Sequence, residues 1–81
     1  MSLSQNQRIL YHLLRGKDIT RLSALVHFGV QNITARISEL RDKGYDIRMR
    51  MRTDPRGAQY AEYYLPKAEI TRINHMKMIR V

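Results

Sequence analysis

The side chains best suited to a chemical task lie in one thirteen-residue segment, 31–43, with the sequence QNITARISELRDK. On a helix, Ile33, Ile37 and Leu40 fall on one apolar face, and the opposite side is short and polar. Asparagine and glutamine amides pair with adenine edges, and arginine pairs with guanine. The segment therefore predicts a helix that enters the major groove of DNA. Its predicted contacts are Gln31, Asn32, Thr34, Ala35, Arg36 and Ser38, with Arg41 further along on a phosphate.

A second set of candidates alternates along the segment 45–52. The period of two predicts a strand with one apolar face and one face of arginines. The apolar positions are Tyr45, Ile47, Met49 and Met51. Charge on an edge strand often serves solubility alone, but the density of arginine here favours contact with backbone phosphates or the minor groove. The predicted contacts of this kind are Arg48, Arg50, Arg52 and Arg56.

Other site chemistries find little support. The three histidines, His12, His27 and His75, have no metal-ligand spacing, and the absence of cysteine excludes disulfides and thiolate metal sites. No paired carboxylates, nucleophile motif or glycine-rich phosphate loop is recognisable, so we expect neither an enzyme nor a cofactor. Tyr63 is expected in the core, whereas Tyr60 and Tyr64 are left open between packing and stacking on single-stranded bases.

Composition sets the class of partner. The 81 residues predict one small domain, and 15 Lys and Arg against 7 Asp and Glu give a net charge of +8. Such an excess favours a polyanionic partner. No apolar run approaches the roughly 18 residues that span a bilayer, and no signal-peptide pattern appears. The expected location is the cytoplasm.

Helix signals divide the first half of the chain. Ser4 and Gln7 form a capping-box pattern before an apolar periodicity, which predicts a helix over 4–15. Ile19 is expected to be buried and to start a short edge strand. Thr20 is the candidate N-cap of a helix over 21–28, whose Leu22, Leu25 and Val26 are expected to face inward. The short link before the segment 31–43 implies a steep helix-turn-helix angle.

The second half predicts a hairpin and a tail. Strands over 45–52 and 59–65 flank a turn at 53–58, which contains Pro55 and Gly57. Three helices followed by a two-stranded β-hairpin wing make an α+β, winged helix-turn-helix domain over residues 1–65. The remainder, 66–81, predicts a helix over 67–80. It is either a solvated tail or a dimerisation or partner helix that uses Ile70, Ile73 and Met76.

Four segments carry a family resemblance: SQNQRILYHLLRGKDIT, ALVHFGV, ITARISELRDKGYDI and YAEYYL. Together they make the stretch 4–65 similar to small helix-turn-helix proteins of phage and prophage genomes. The resemblance implies a winged helix DNA-binding domain, usually a regulator of a phage or mobile element, and it implies no particular target.

The interpretation we favour is a sequence-specific double-stranded DNA-binding protein that acts as a transcriptional regulator. Three alternatives stay open. The first is a DNA-bending accessory factor of recombination, such as an excision factor. The second is a phage protein that binds and inactivates a host protein, and the third is an RNA-binding protein that uses the tyrosine strand.

Overall fold

The computed structural model describes residues 4–75 as four helices and a three-stranded antiparallel sheet. The elements are α1 (Gln5–Leu14), β1 (Ile19–Thr20), α2 (Arg21–Phe28), α3 (Ile33–Asp42), β2 (Arg48–Thr53), β3 (Gln59–Tyr64) and α4 (Lys67–Asn74). The strand order is β1-β3-β2, so β3 is central. The α+β class and the winged helix-turn-helix arrangement are confirmed. We call residues 48–64 the wing. The predicted continuation of the last helix over 76–80 lies outside the described residues.

Side-chain caps fix the starts of the first two helices. The Ser4 hydroxyl accepts the Gln7 N–H at 3.2 Å, and the Gln7 side chain accepts the Ser4 N–H at 2.9 Å. Thr20 and Ser23 form the same reciprocal pair at the start of α2. Because each pair satisfies two backbone donors that a helix start leaves without partners, both boundaries are sharply defined.

The turn between α2 and α3 depends on a left-handed glycine. Gly29 has φ 66°, a conformation that costs glycine little. The N–H of Gly29 donates to Leu25 O at 3.0 Å, and the N–H of Val30 donates to Ala24 O at 3.1 Å. These bonds close the last turn of α2 and end the helix. Only residues 29–32 separate α2 from α3, so the predicted short link between the two helices is confirmed.

The core is an aliphatic layer between α1, α3 and the base of the sheet. The predicted stripe of α3 is buried as expected, and it packs in one cluster with three residues of α1 and with Ile19 of β1. The buried members from α1 and α3 are Ile9, Leu10, Leu13, Ile33, Ile37 and Leu40. Their burial holds one side of α3 inward and leaves the other side on the surface.

The expected orientation of α2 is wrong. Leu22 and Val26 are 69% and 67% exposed, and Leu25 is also exposed. Ala24 is buried instead, and Phe28 packs partly against the core. Since β1 precedes α2 directly and the Gly29 turn follows it, both ends of this short helix are fixed. The fixed ends decide which face of α2 points inward. The small side chain of Ala24 lies on that face.

The expected apolar face of the first wing strand is only partly buried. Tyr45 and Ile47 lie in the core, but they precede β2, which begins at Arg48 rather than at residue 45. Met49 and Met51 are exposed, contrary to expectation. The reason is that the hairpin extends beyond the helices that cover its base.

The wing turn is shaped by Asp54. Its Oδ1 accepts the N–H of Arg56 at 2.8 Å and the N–H of Ala58 at 2.9 Å. Gly57 takes φ 89°, which a residue with a side chain rarely adopts. The turn is therefore held by its own side chain and backbone, without support from the core.

The fourth helix is fastened to the link between α3 and β2. Ile73 is fully buried in the core, and Ile70 packs partly against it. The buried Glu69 carboxylate accepts the Asp46 N–H and the Arg72 Nε–H, each at 2.6 Å. Of the two open interpretations of this segment, the one with a dimerisation or partner helix used Ile73, and the chain's own core already covers that side chain.

A matched pair of leucine truncations tests the orientation of α2. We expect Leu10→Ala to lower the free energy of unfolding by about 2–5 kcal/mol, because it leaves a cavity in the core. Leu22→Ala should change it by about 0.5 kcal/mol or less, as at other exposed positions. Urea unfolding followed by circular dichroism measures both. Equal losses would show that Leu22 is buried and that α2 is rotated.

Acid unfolding tests the attachment of α4. The Arg72 guanidinium, with the Asp46 N–H, holds the pKa of the Glu69 carboxyl below its usual value of 4.5. This pKa is lower in the folded than in the unfolded state. The ionised Glu69 carboxylate therefore stabilises the fold above pH 4.5, and this contribution is lost as the pH falls through the pKa of the folded state. We therefore expect Glu69→Gln to destabilise the protein at pH 7 and the gap from wild type to narrow below pH 4.5. A gap that stays constant with pH would contradict this role.

Candidate nucleic-acid interface

The N-terminal half of α3 presents the polar surface that the sequence predicted. Asn32 lies just before the helix, and its Oδ1 accepts the Ala35 N–H at 3.1 Å. Gln31 precedes this cap, so α3 begins two residues later than expected. Gln31, Asn32 and Ser38 are exposed, and Ala35 is half-buried. The exposed side chains of this face are accessible to a large partner.

Asn32 has two roles at this position. Its carbonyl oxygen is engaged as the N-cap, while its amide NH₂ group retains two donors. Removing the side chain would therefore disturb the helix start as well as any contact with a base. The neighbouring Gln31 precedes the cap and is exposed, so it is the cleaner probe of base reading.

An open groove separates α3 from the wing. The Thr34 hydroxyl lies 3.4 Å from the Tyr63 hydroxyl of β3, which bridges the two sides. The groove is lined by Arg21, Leu22, Leu25, Gln31, Thr34, Asp54, Tyr60, Ala61 and Tyr63, among others. The walls of the groove are formed by the start of α2, the start of α3 and the distal half of β3. A partner that contacts Gln31 and Thr34 also meets this apolar and tyrosine-lined surface.

The two arginines of the segment 31–43 have partners within the chain. The Arg36 Nε lies 2.8 Å from Glu39 Oε1, one helical turn away. The Arg41 Nε–H donates to the Ile47 carbonyl at 2.8 Å. Both retain guanidinium donors beyond these contacts, because each guanidinium has five N–H groups. Their predicted DNA contacts stay predictions.

The wing arginines lie on the face of the hairpin that points away from α3. The register pairs Met49 with Tyr63, whose hydroxyl meets Thr34 on α3. Since side chains alternate along a strand, Arg48, Arg50 and Arg52 project from the opposite face. The structure therefore does not bring these three side chains together with the polar face of α3.

Carboxylates hold all three of these arginines. Arg48 pairs with Asp46 at 2.9 Å. Arg50 and Arg52 share Glu62 Oε1, at 2.8 and 3.0 Å. The hydrogen bond from Arg50 is the main reason that the pKa of Glu62 is lowered, and Glu62 in turn raises the pKa of Arg50. The sequence predicted arginines that contact phosphate, and it did not reveal these carboxylate partners.

Arg56 and Arg21 are the cations without such partners near the groove. Within residues 4–75, neither guanidinium forms an ion pair. Arg56 lies in the turn at the tip of the wing, and Arg21 lines the groove beside Gln31 and Thr34. Sequence reasoning missed Arg21. Its position as the first residue of α2, directly after the N-cap Thr20, was the available signal, because helix starts attract phosphate.

Within residues 4–75, no three metal-ligating side chains come together, and no helix combines the length and apolar character needed to cross a membrane. His12, predicted to be a packing or surface residue, places its Nε2 3.0 Å from the Asp18 carbonyl and packs edge-on against Phe28.

The geometry and the chain's similarity to known proteins agree. A family model described as a winged helix-turn-helix domain matches residues 4–68. The chain therefore belongs to the winged helix-turn-helix family, and the fold defines a DNA-binding domain. The comparisons with curated proteins and with solved structures found no match.

Proposed function

We propose that the protein is a sequence-specific double-stranded DNA-binding protein, and that it acts as a transcriptional regulator of a phage or mobile element. The observation that carries the proposal is the exposed polar start of α3 on a domain of this family. In this proposal α3 enters the major groove and reads base edges through Gln31, Asn32, Thr34, Ala35 and Ser38. Arg36 would join them through the guanidinium N–H groups that its contact with Glu39 leaves over. The phage or mobile-element context rests on the resemblance of the sequence.

Phosphate contacts would come from the two sides of the groove. Arg56 at the wing tip and Arg21 at the start of α2 have no ion pair in the described part of the chain, so binding phosphate costs them no existing pair. Arg41, Arg48 and Arg52 are further candidates, through the N–H groups that their present contacts leave over. The expected place of action is the cytoplasm or nucleoid of a bacterial host.

A second candidate function is supported by the exposed apolar face of α2. An accessory factor of recombination binds several adjacent sites cooperatively and bends the DNA between them. Leu22, Leu25 and Val26 give neighbouring copies an apolar surface through which they can touch. Cooperative occupation of adjacent sites that is abolished by Leu22→Ser would favour this function over that of an independent regulator.

Pairing of two copies would lengthen the recognised site. A dimer through residues 67–80 would have to form without Ile73, which is buried. Selection of bound duplexes from a random pool would report the number of copies through the symmetry of the selected sequence.

Substitution of Gln31 tests base reading. We expect Gln31→Ala to weaken binding to the selected duplex by about 1–3 kcal/mol and to leave binding to random duplex nearly unchanged. The reason is that a base contact discriminates between sequences, whereas a phosphate contact does not. Gel-shift titration of both duplexes provides the measurement.

Gln5→Ala is the matched control, because Gln5 is also exposed but begins α1 and does not line the groove. It should leave both affinities unchanged. If Gln31→Ala weakens both duplexes equally, Gln31 does not read sequence.

The salt dependence of binding tests the wing tip. Each phosphate contact contributes about 0.9 to the slope of log K against log salt on duplex DNA. We expect Arg56→Gln to reduce that slope by about this amount. Lys67→Gln removes the same charge at the base of the hairpin, beyond the Arg48–Tyr64 pair, and should leave the slope unchanged. Equal effects of the two substitutions would mean that total charge, rather than a contact at the tip, sets the slope.

A further inference from the structure

We propose that Arg50 is a positioning residue that braces the wing against the helical body and so determines where the wing tip lies relative to α3. Sequence reasoning placed Arg50 on DNA phosphate. The contacts around it point to a different role, and this inference rests on the proposed DNA-binding function.

Arg50 is engaged on three sides. Its Nε–H donates to Glu62 Oε1 at 2.8 Å, and its Nη2–H donates to Asp18 Oδ2 at 2.7 Å. Its guanidinium carbon lies 4.3 Å from the centroid of the Tyr64 ring. Glu62 is only 13% exposed in its side chain, so one of these partners lies almost out of solvent. A planar guanidinium can bridge two carboxylates and stack on a ring at once, whereas an ammonium group cannot.

The wing needs such a brace because little else attaches it on its outer face. β3 pairs with β1 at only two positions, Ile19–Tyr63 and Thr20–Glu62, although it pairs with β2 at six. Beyond the short β1, the hairpin is a two-stranded ribbon, an arrangement that is marginally stable by itself. The exposed Met49 and Met51 show that no core supports this part of the hairpin.

Asp18, the partner of Arg50 outside the wing, belongs to the helical part of the protein. Asp18 lies between α1 and β1, and it is separated from Arg50 by 32 positions in sequence. The His12 ring of α1 holds this segment through the Asp18 carbonyl, at 3.0 Å. A carbonyl only accepts, so the His12 Nε2 carries the proton and donates. The chain of contacts from His12 through Asp18 to Arg50 therefore connects α1 with β2.

Arg56 is the residue whose position the brace would determine. It lies in the tip turn, which Asp54 holds rigid through two backbone N–H groups. Because the turn is rigid and the base of the hairpin is fixed in the core, the tilt of the ribbon decides where Arg56 meets a duplex. Arg50 acts on that tilt without touching DNA itself.

The test combines Arg50→Lys with Arg56→Gln. Arg50→Lys keeps the charge but removes the bridge between Glu62 and Asp18. We expect it to weaken binding to the selected duplex by about two- to tenfold, within the range of couplings found for residues of one network. The slope of log K against log salt should fall by no more than Arg56→Gln reduces it, because a displaced Arg56 loses its phosphate contact. In the Arg56→Gln background, Arg50→Lys should cost nothing further, because the residue that it positions is absent.

Arg48→Lys is the matched control. Arg48 lies on the same face of the same strand, but it pairs only with the exposed Asp46 in the described part of the chain. Because Arg48 does not join the wing to Asp18, any change in affinity that Arg48→Lys causes should be the same with and without Arg56→Gln. Circular dichroism melts show whether each variant remains folded at the temperature of the titration. A loss of affinity that is the same with and without Arg56 would overturn the brace and would make Arg50 a direct contact with the duplex.

Amide hydrogen exchange separates failure of the brace from failure of the proposed function, since it needs no DNA. We expect Arg50→Lys to speed exchange at the distal wing amides, 51–53 and 59–61, and Arg48→Lys not to do so. Unchanged exchange would overturn the brace even if DNA binding is confirmed. Faster exchange in a protein that binds no duplex would confirm the brace and reject the proposed function.

Discussion

The structure depends on the burial of one aliphatic stripe. Ile33, Ile37 and Leu40 of α3 pack into the cluster formed by α1 and the base of the sheet. Burying such side chains is the main favourable contribution in a small domain, and here it also determines orientation. Since the stripe cannot leave the core without a large loss of stability, the polar side of α3 must face solvent. A surface for recognition is thus a direct consequence of how the core is built.

A chain of this size cannot rely on its core alone, and charged groups reinforce the attachment of α4 and of the wing. Glu69 joins α4 to the link before β2, and Glu62 with Asp18 holds the outer face of the wing. Glu62 and Glu69 are the two carboxylates in these contacts with the least exposed side chains. Partly buried carboxylates with several donors are strongly held at neutral pH. Glu69 thus adds to the core contact that Ile73 already gives α4, and Glu62 fixes the outer face of the wing.

Local signals in the sequence predicted the local structure well. The Ser4–Gln7 pair, Thr20 and the spacing of Ile33, Ile37 and Leu40 each act within a few residues, so the caps and the α3 stripe are confirmed. The predicted orientation of α2 was wrong because apolar residues lie on nearly every side of this two-turn helix. Its inward face is set by what precedes and follows it, which periodicity does not contain.

The environment of the arginines was beyond prediction for a different reason. Arg50 meets Asp18 across 32 positions, and Arg52 meets Glu62 across a hairpin whose register the sequence alone does not specify. Alternation correctly placed the arginines on one face of a strand. It contained no information about which carboxylates lie opposite them, or about the side of the hairpin that α3 occupies.

These pairings change what the net charge means. Five of the seven carboxylates form ion pairs with arginines: Asp18, Glu39, Asp46, Glu62 and Glu69. The five paired arginines, Arg36, Arg48, Arg50, Arg52 and Arg72, are thereby largely balanced. The excess of +8 consequently rests on other cations, including Arg21 and Arg56 on the two sides of the groove. The three arginines of β2 therefore serve the internal ion pairs of the protein, and most of the excess charge comes from residues outside that strand.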